Sequence, residues 1–232
     1  FMDCVTCPYR QTGCLLEQPG EAVAKFSSLL TRYSINGKGK TIFNQGEVAT
    51  GLYFLCKGMV KLTRMTEQGE EVILDLLSPC SIIGGLFAYG ERRIRFSSSV
   101  TVSEVSEVAC LKKEDIPILF EAHPGIGIGL SRQMSERLRA AQKLIADMKL
   151  PVEDRVLSLI GRLMILLQGK CENIVMEIPF SHRELAQFAQ ITPETLSRAL
   201  HVLQDKGILN VEKKGLRVLQ SEALRKYVDE MN

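Results

Sequence analysis

From Ser181 to Gly207 the chain reads as two short helices joined by a tight turn, a unit that packs in few ways. Ser181 is a good N-cap, and Glu184 three residues on completes a capping box. Leu185, Ala186 and Ala189 form a small apolar face before a turn at Gln190-Ile191. Thr192 caps the second helix, and Pro193 takes its first position, where a missing N–H costs nothing. Leu196, Ala199, Leu200 and Leu203 recur at helical spacing, and Lys206-Gly207 ends the helix.

The opposite face of that second helix carries Glu194, Thr195, Ser197, Arg198 and His201. Glu194 and Arg198 are four apart and project together. Arg can donate twice to guanine O6 and N7, and Glu can accept from cytosine N4. Such residues at the start of a second helix are what a helix-turn-helix presents to the DNA major groove. The alternative is an ordinary two-helix corner with a surface Glu–Arg pair.

Charge does not settle the matter. The chain of 232 residues has a net charge of +2, and residues 150–232 hold 11 Lys/Arg against 11 Asp/Glu. Placement of charge, not its total, must therefore carry any nucleic-acid reading. No apolar run has the length of a membrane span and no signal peptide is visible, so a cytoplasmic protein with no membrane partner is expected. Seven cysteines then suggest metal or redox chemistry more than a disulfide framework.

Cys4, Cys7 and Cys14 crowd the first residues, and soft thiolates at that spacing suit zinc or an iron–sulfur cluster; the alternative is a tail with incidental cysteines. Val23, Phe26, Leu29, Leu30 and Tyr33 predict an amphipathic helix over 21–34. Short alternating segments follow at 41–43, 51–55, 58–63 and 69–76, with turns at Gly46, Gly58 and Gly69 and a last strand pair over 97–111. Even spacing of short strands predicts a β-roll or barrel. Arg92, Arg93 and Arg95 read as a solvated loop, and Cys56 as strand packing. A short helix over 114–120 precedes a long one from about 127 to 148. On it Ser131, Met134, Leu138, Ala141, Ile145 and Met148 trace a coiled-coil seam, which predicts a parallel homodimer. Lys149-Leu-Pro151 is a hinge, and an apolar helix over 152–168 opens the second domain. After a strand at 175–179 and the two-helix unit, segments 208–211 and 216–219 flank Glu212-Lys-Lys-Gly215 as a hairpin with a basic tip. Lys213, Lys214 and Arg217 suit backbone phosphates, as do Ser181 and Arg183 at a helix start.

The run Ile191-Thr-Pro-Glu-Thr-Leu-Ser-Arg-Ala-Leu200 resembles the recognition helix of the Crp/Fnr family of bacterial transcription regulators, and within it the FNR branch, which has Ser where the cyclic-AMP branch has Gly. Pro193 departs from both. The resemblance covers nearly the whole chain and implies an α+β protein. It would have a cysteine-rich segment (1–20), a cupin-like double-stranded β-helix of the cyclic-nucleotide-binding type (21–122), a dimerisation helix (123–149) and a winged helix-turn-helix (150–232). By resemblance, Glu194 and Arg198 read the G·C pair of a TTGAT-type half-site in double-stranded DNA, Ser197 helps with the outer T·A pairs, and RNA polymerase is a partner. A [4Fe–4S] cluster on Cys4, Cys7, Cys14 and Cys110 senses oxygen or nitric oxide, with Cys80 the second candidate for fourth ligand because its turn could also face the tail. The branch that binds cyclic nucleotide has Gly-Glu-Leu and Arg-Ser; here Gly84-Gly85-Leu86 lacks the Glu and Arg95-Phe96-Ser97 does not restore the pair, so no cyclic nucleotide is expected. The alternatives are a regulator of the same fold run by a small organic effector or thiol oxidation, and a cupin-like enzyme. The three histidines, His123, His182 and His201, all lie outside the β-region, which argues against the enzyme.

Overall fold

A computed structural model describes residues 20–83, 95, 97–168, 175–212, 215–220 and 222–229. The chain divides into two units, Phe1–Leu138 and Arg139–Asn232.

The first unit opens with α1 (Gly20–Leu29) and β1 (Leu30–Asn36). The sequence predicts helix through 34, but the helix ends at Leu29 because Leu30–Asn36 pairs along its whole length with a distant strand. Tyr33, assigned to the apolar face, is 48% exposed. The roll continues through β2 (Thr41–Phe43), β3 (Gly51–Lys57), β4 (Val60–Met65), β5 (Glu71–Leu77), β6 (Ile82–Ile83), β7 (Ser98–Thr101) and β8 (Val105–Lys112). Two antiparallel sheets result, ordered β1-β8-β3-β6 and β2-β7-β4-β5. Gly46, Gly58 and Gly69 all have positive φ, as their turns require. At Gly58 a Cβ would also lie 2.6 Å from Ser106 Oγ, so no larger residue fits there.

Period-two alternation builds two cores. Phe43, Leu55, Val60, Leu62, Leu77, Ile83 and Val108 meet between the sheets. On the other face of the first sheet, Leu52, Ile82, Ala109 and Leu111 meet Val23 and Phe26 of α1. They also meet Ile116 and Leu119 of α2 (Asp115–Ala122) and Ile126 and Leu130 of α3 (Pro124–Asp147). Adjacent strand residues thus serve different cores.

The second unit holds the end of α3, then α4 (Val152–Gln168), β9 (Val175–Glu177), α5 (His182–Ala189), α6 (Pro193–Asp205), β10 (Leu209–Glu212), β11 (Gly215–Val218) and α7 (Glu222–Asp229). Its antiparallel sheet runs β10-β11-β9. The helix α7, which the sequence reading missed, is tied to α4 by Tyr227, whose hydroxyl donates to Asp154 Oδ1 at 2.6 Å. Among the described residues no helix is long and apolar enough to cross a membrane.

Candidate nucleic-acid interface

The local chemistry of 181–207 builds the interface. Ser181 Oγ accepts from Glu184 N at 3.2 Å, and Ser181 N donates to Glu184 Oε2 at 2.9 Å, so the capping box is complete. Gln190 ends α5 in the left-handed conformation (φ 53°), and Ile191 N returns to Ala186 O at 3.0 Å. Thr192 Oγ1 accepts from Thr195 N at 3.2 Å with Pro193 in the first turn of α6. Leu196, Ala199, Leu200 and Leu203 are buried, which fixes the rotation of α6 about its axis.

That rotation sends Glu194, Arg198, His201 and Asp205 to solvent, at steps of four, three and four residues. Thr195 and Ser197 flank them half-buried. The Glu194 carboxyl is held below its ordinary range, first by its own backbone N–H, then by the Thr192 hydroxyl and the nearby Arg198 charge. It is therefore an acceptor throughout the neutral range, and the helix N-terminus steadies it. Ser181 and Arg183 are exposed at the start of α5.

Arg155 is a positioning residue that sequence reasoning missed. From the first turn of α4 its guanidinium donates to the carbonyls of Ala189 and Gln190, the last acceptors of α5. It neutralises the end of the first helix at the turn that aims the second. No local signal marks it, because its partners lie 34 and 35 residues away.

On the wing, Arg217 is exposed but its Nε donates to Glu212 Oε1 at 2.6 Å, an ion pair that a phosphate contact must share or replace. Lys213 and Lys214 lie outside the described residues. Along α3, Leu138 (61%) and Ile145 (66%) are exposed with Ala141 between them, and Met148 (45%) is exposed just past its end. Met134, the first apolar residue of the predicted seam, is half-buried and packs on the core beneath α3.

The proposed metal ligands Cys4, Cys7 and Cys14 lie outside the described residues, as do Gly84-Gly85-Leu86, Arg92 and Arg93. Among the described residues no three His, Cys, Asp or Glu gather as a metal group. Cys110 is buried on β8, and burial pushes its thiol up despite a hydrogen bond with Tyr53 and the nearby Arg95 charge. Cys80 is half-buried in the turn before β6 with φ 70°.

Arg95 overturns the solvated-loop reading. It is 3% exposed, with its guanidinium 3.9 Å from the Phe43 ring centroid and 5.0 Å from that of Tyr53, and it donates to Gly51 O at 3.1 Å. Ring faces and a carbonyl replace the water that a buried cation gives up.

Comparison with known proteins matches both units. A model of the cyclic nucleotide-binding domain matches residues 37–123, and one of the Crp-like helix-turn-helix domain matches 154–227. The global nitrogen regulator of Synechocystis sp. is 30% identical over 192 residues, covering 81% of this chain and 84% of that protein. The cAMP-activated global transcriptional regulator CRP of Salmonella typhimurium is 29% identical over 181 residues, 77% of this chain and 85% of its own. Among solved structures, the c-di-GMP responsive global regulator CLP of Xanthomonas campestris has a TM-score of 0.74 at 21% identity, covering 87% of this chain and all of the other. FixK2 of Bradyrhizobium japonicum has a TM-score of 0.72 at 19% identity, with 85% and 96% covered. These structural likenesses support the fold, the sequence relatives support the kind of protein, and the chain belongs to the Crp/Fnr family of DNA-binding transcription regulators, which are not enzymes.

Proposed function

We propose that this regulator binds a TTGAT-type palindrome as a homodimer and answers to oxygen or nitric oxide. The observation that carries the DNA reading is the outward stripe of Glu194, Arg198 and His201 on a helix whose opposite face is locked in the core. Glu194 and Arg198 read the G·C pair, Ser197 and Thr195 lie beside them, and Ser181, Arg183, Lys213, Lys214 and Arg217 meet phosphates. The exposed apolar stripe of Leu138, Ala141, Ile145 and Met148 supports a second copy as occupant of α3, since such a face is costly to leave in water. A two-fold dimer sets two reading helices about 34 Å apart, one DNA turn. RNA polymerase is the expected protein partner.

For sensing, Cys4, Cys7 and Cys14 with Cys110 or Cys80 are the proposed holders of a [4Fe–4S] cluster. When bound it would supply a cross-link between tail and roll that oxidants dismantle. Clamping the tail must favour one dimer arrangement over another to alter DNA affinity. A coupling of about 1–3 kcal/mol would change it roughly 5–150-fold.

A second reading rests on the roll interior. The buried Arg95 lies there, and Ser99 Oγ is buried with no hydrogen-bond partner among the described residues. A regulator controlled by a small acidic organic effector would use such a polar interior, and related proteins are described as cAMP-activated or c-di-GMP responsive. Titration of palindromic and scrambled DNA with anaerobically purified protein, before and after air, tests the first reading. Air-insensitive binding that instead needs an added metabolite supports the second. Equal affinity for both DNAs under every condition rejects base reading.

A further inference from the structure

Two edge strands of the roll follow one another in the chain. The first sheet ends at β6 and the second at β5, with residues 78–81 between them. A strand edge turns every second N–H and C=O away from its ladder, and those groups must find other partners. Toward β3 the ladder is made: Leu55 N donates to Ser81 O at 2.9 Å, and Cys80 N donates to Leu55 O at 2.7 Å.

At the outer side, α3 supplies the partners. Gln133 Nε2 donates to Cys80 O at 2.8 Å, and Gln133 Oε1 accepts from Ile82 N at 3.3 Å. A carbonyl and an N–H two residues apart are what one residue of a parallel strand would engage. The Gln133 amide therefore stands in for a strand residue. One helical turn on, Arg137 Nη1 donates to Ile82 O at 2.7 Å.

The same guanidinium reaches the second sheet. Its Nε donates to Asp75 Oδ2 of β5 at 3.2 Å, and its Nη2 lies 3.0 Å from that oxygen. Asp75 Oδ1 accepts from Leu76 N at 2.9 Å, which steadies the carboxylate. The Arg137 and Asp75 side chains are 26% and 18% exposed, so salt and water screen this pair less than one on an open surface. Arg137 thus ties both edge strands to α3. The seam between β5 and β6 cannot widen without releasing the helix.

These contacts also fix how α3 is turned. Gln133 and Arg137 are four residues apart and leave the helix on one side, as do the buried Ile126 and Leu130. Leu138 follows Arg137 by one residue and stands about 100° round the helix from it. Leu138 is exposed and opens the outward stripe.

Resting on the homodimer reading, we propose that Gln133, Arg137 and Asp75 are positioning residues for dimer formation. They hold α3 against the seam of the roll at the rotation that offers Leu138 to the second copy. A change within the roll that parts β5 from β6 breaks this hold, and reaches the dimer helix through one arginine.

The test uses the full chain, purified without oxygen. Dimer dissociation constants come from sedimentation over a dilution series, stability from urea unfolding, and DNA affinity from a palindrome and a duplex with a single half-site. Arg137→Ala is expected to weaken the dimer roughly tenfold, the scale of one lost charge-assisted hydrogen bond. Palindrome affinity falls with it, and half-site affinity does not change. Arg137→Lys should regain part, because an ammonium lacks the fork that holds Asp75 and Ile82 O together. Asp75→Ala leaves Arg137 its Ile82 contact and should weaken the dimer by a smaller factor; the double variant should cost less than the two factors multiplied. Leu62→Ala is the control for stability alone, since Leu62 is 5% exposed in the core between the sheets. It should lower the urea midpoint and leave the dimer constant unmoved. Folded Arg137→Ala and Asp75→Ala variants with the wild-type dimer constant overturn the proposal and leave the contacts as edge cover only. A Leu62→Ala variant whose dimer weakens as much overturns it too. Wild type that stays monomeric at every concentration, alone and with the palindrome, rejects instead the homodimer reading on which the proposal stands.

Discussion

On α6 the polar side chains face solvent, whereas in the roll Arg95, Cys110, Ser99 and Ser106 are turned inward. Glu194 and Arg198 are poised to meet a partner from outside, on a helix whose apolar face fixes its rotation. Arg95 has exchanged water for two aromatic rings and a carbonyl before any ligand arrives. The reading unit is a rigid display. The roll encloses a few buried polar groups within an apolar core, at a cost, which is the place to look for control.

The largest effects come from breaking either platform. Leu196→Ala empties a side chain that is 1% exposed beneath the reading stripe. A loss of about 2–5 kcal/mol is expected, read by urea unfolding, together with loss of DNA binding. In the roll, Arg95→Ala removes the stacked cation and the Gly51 hydrogen bond, with an expected loss of about 2–4 kcal/mol. Arg95→Lys should recover only part, because an ammonium lacks the planar fork. Full stability in Arg95→Ala would place the polar interior outside the fold's energetics.

The same contrast explains what was legible in the sequence. Caps, Pro193, Gly207 and the 196-199-200-203 spacing act within one or two turns, and the structure reproduces both helices of the unit. Alternation and glycine turns pointed to the β-roll and most of its strands, and the α+β fold class came with the family resemblance. What failed depends on distant partners. The helix predicted through residue 34 yields at Leu30 to pairing with Leu111. Arg95 looks solvated among other arginines until β2 and β3 bring Phe43 and Tyr53 over it. Alternation says that Cys110 and Ala109 face opposite ways, but not which way is in. That is decided by pairing with β3, more than fifty residues earlier.

Smaller effects separate reading from anchoring. Arg198→Ala should cost about 1–3 kcal/mol on a TTGAT-type palindrome and relax discrimination at one base pair, measured by titrating single-substituted sites. Arg217→Ala should cost under about 1 kcal/mol, equally on palindromic and scrambled DNA, because its guanidinium is already paired with Glu212. Glu212→Ala releases that arginine and should tighten binding and steepen its salt dependence. Sequence-selective loss in Arg217→Ala would give the wing a reading role.

The smallest effect probes the roll by pH. Burial raises the Cys110 thiol above its ordinary value, so the folded state holds the proton more tightly than the unfolded chain. The sign follows: this contribution to stability is complete below the unfolded thiol pKa and is lost as pH rises through the folded value. Unfolding midpoints of wild type should therefore fall more steeply than those of Cys110→Ala on the alkaline side, with the two curves parallel near neutrality. Alkylation of Cys110 by iodoacetamide should be slow at neutral pH and accelerate on unfolding, since the thiolate is the nucleophile and this thiol is both protonated and enclosed. Rapid alkylation of the native protein at neutral pH would contradict an inward thiol, and with it the division of labour between a closed roll interior and an open reading face.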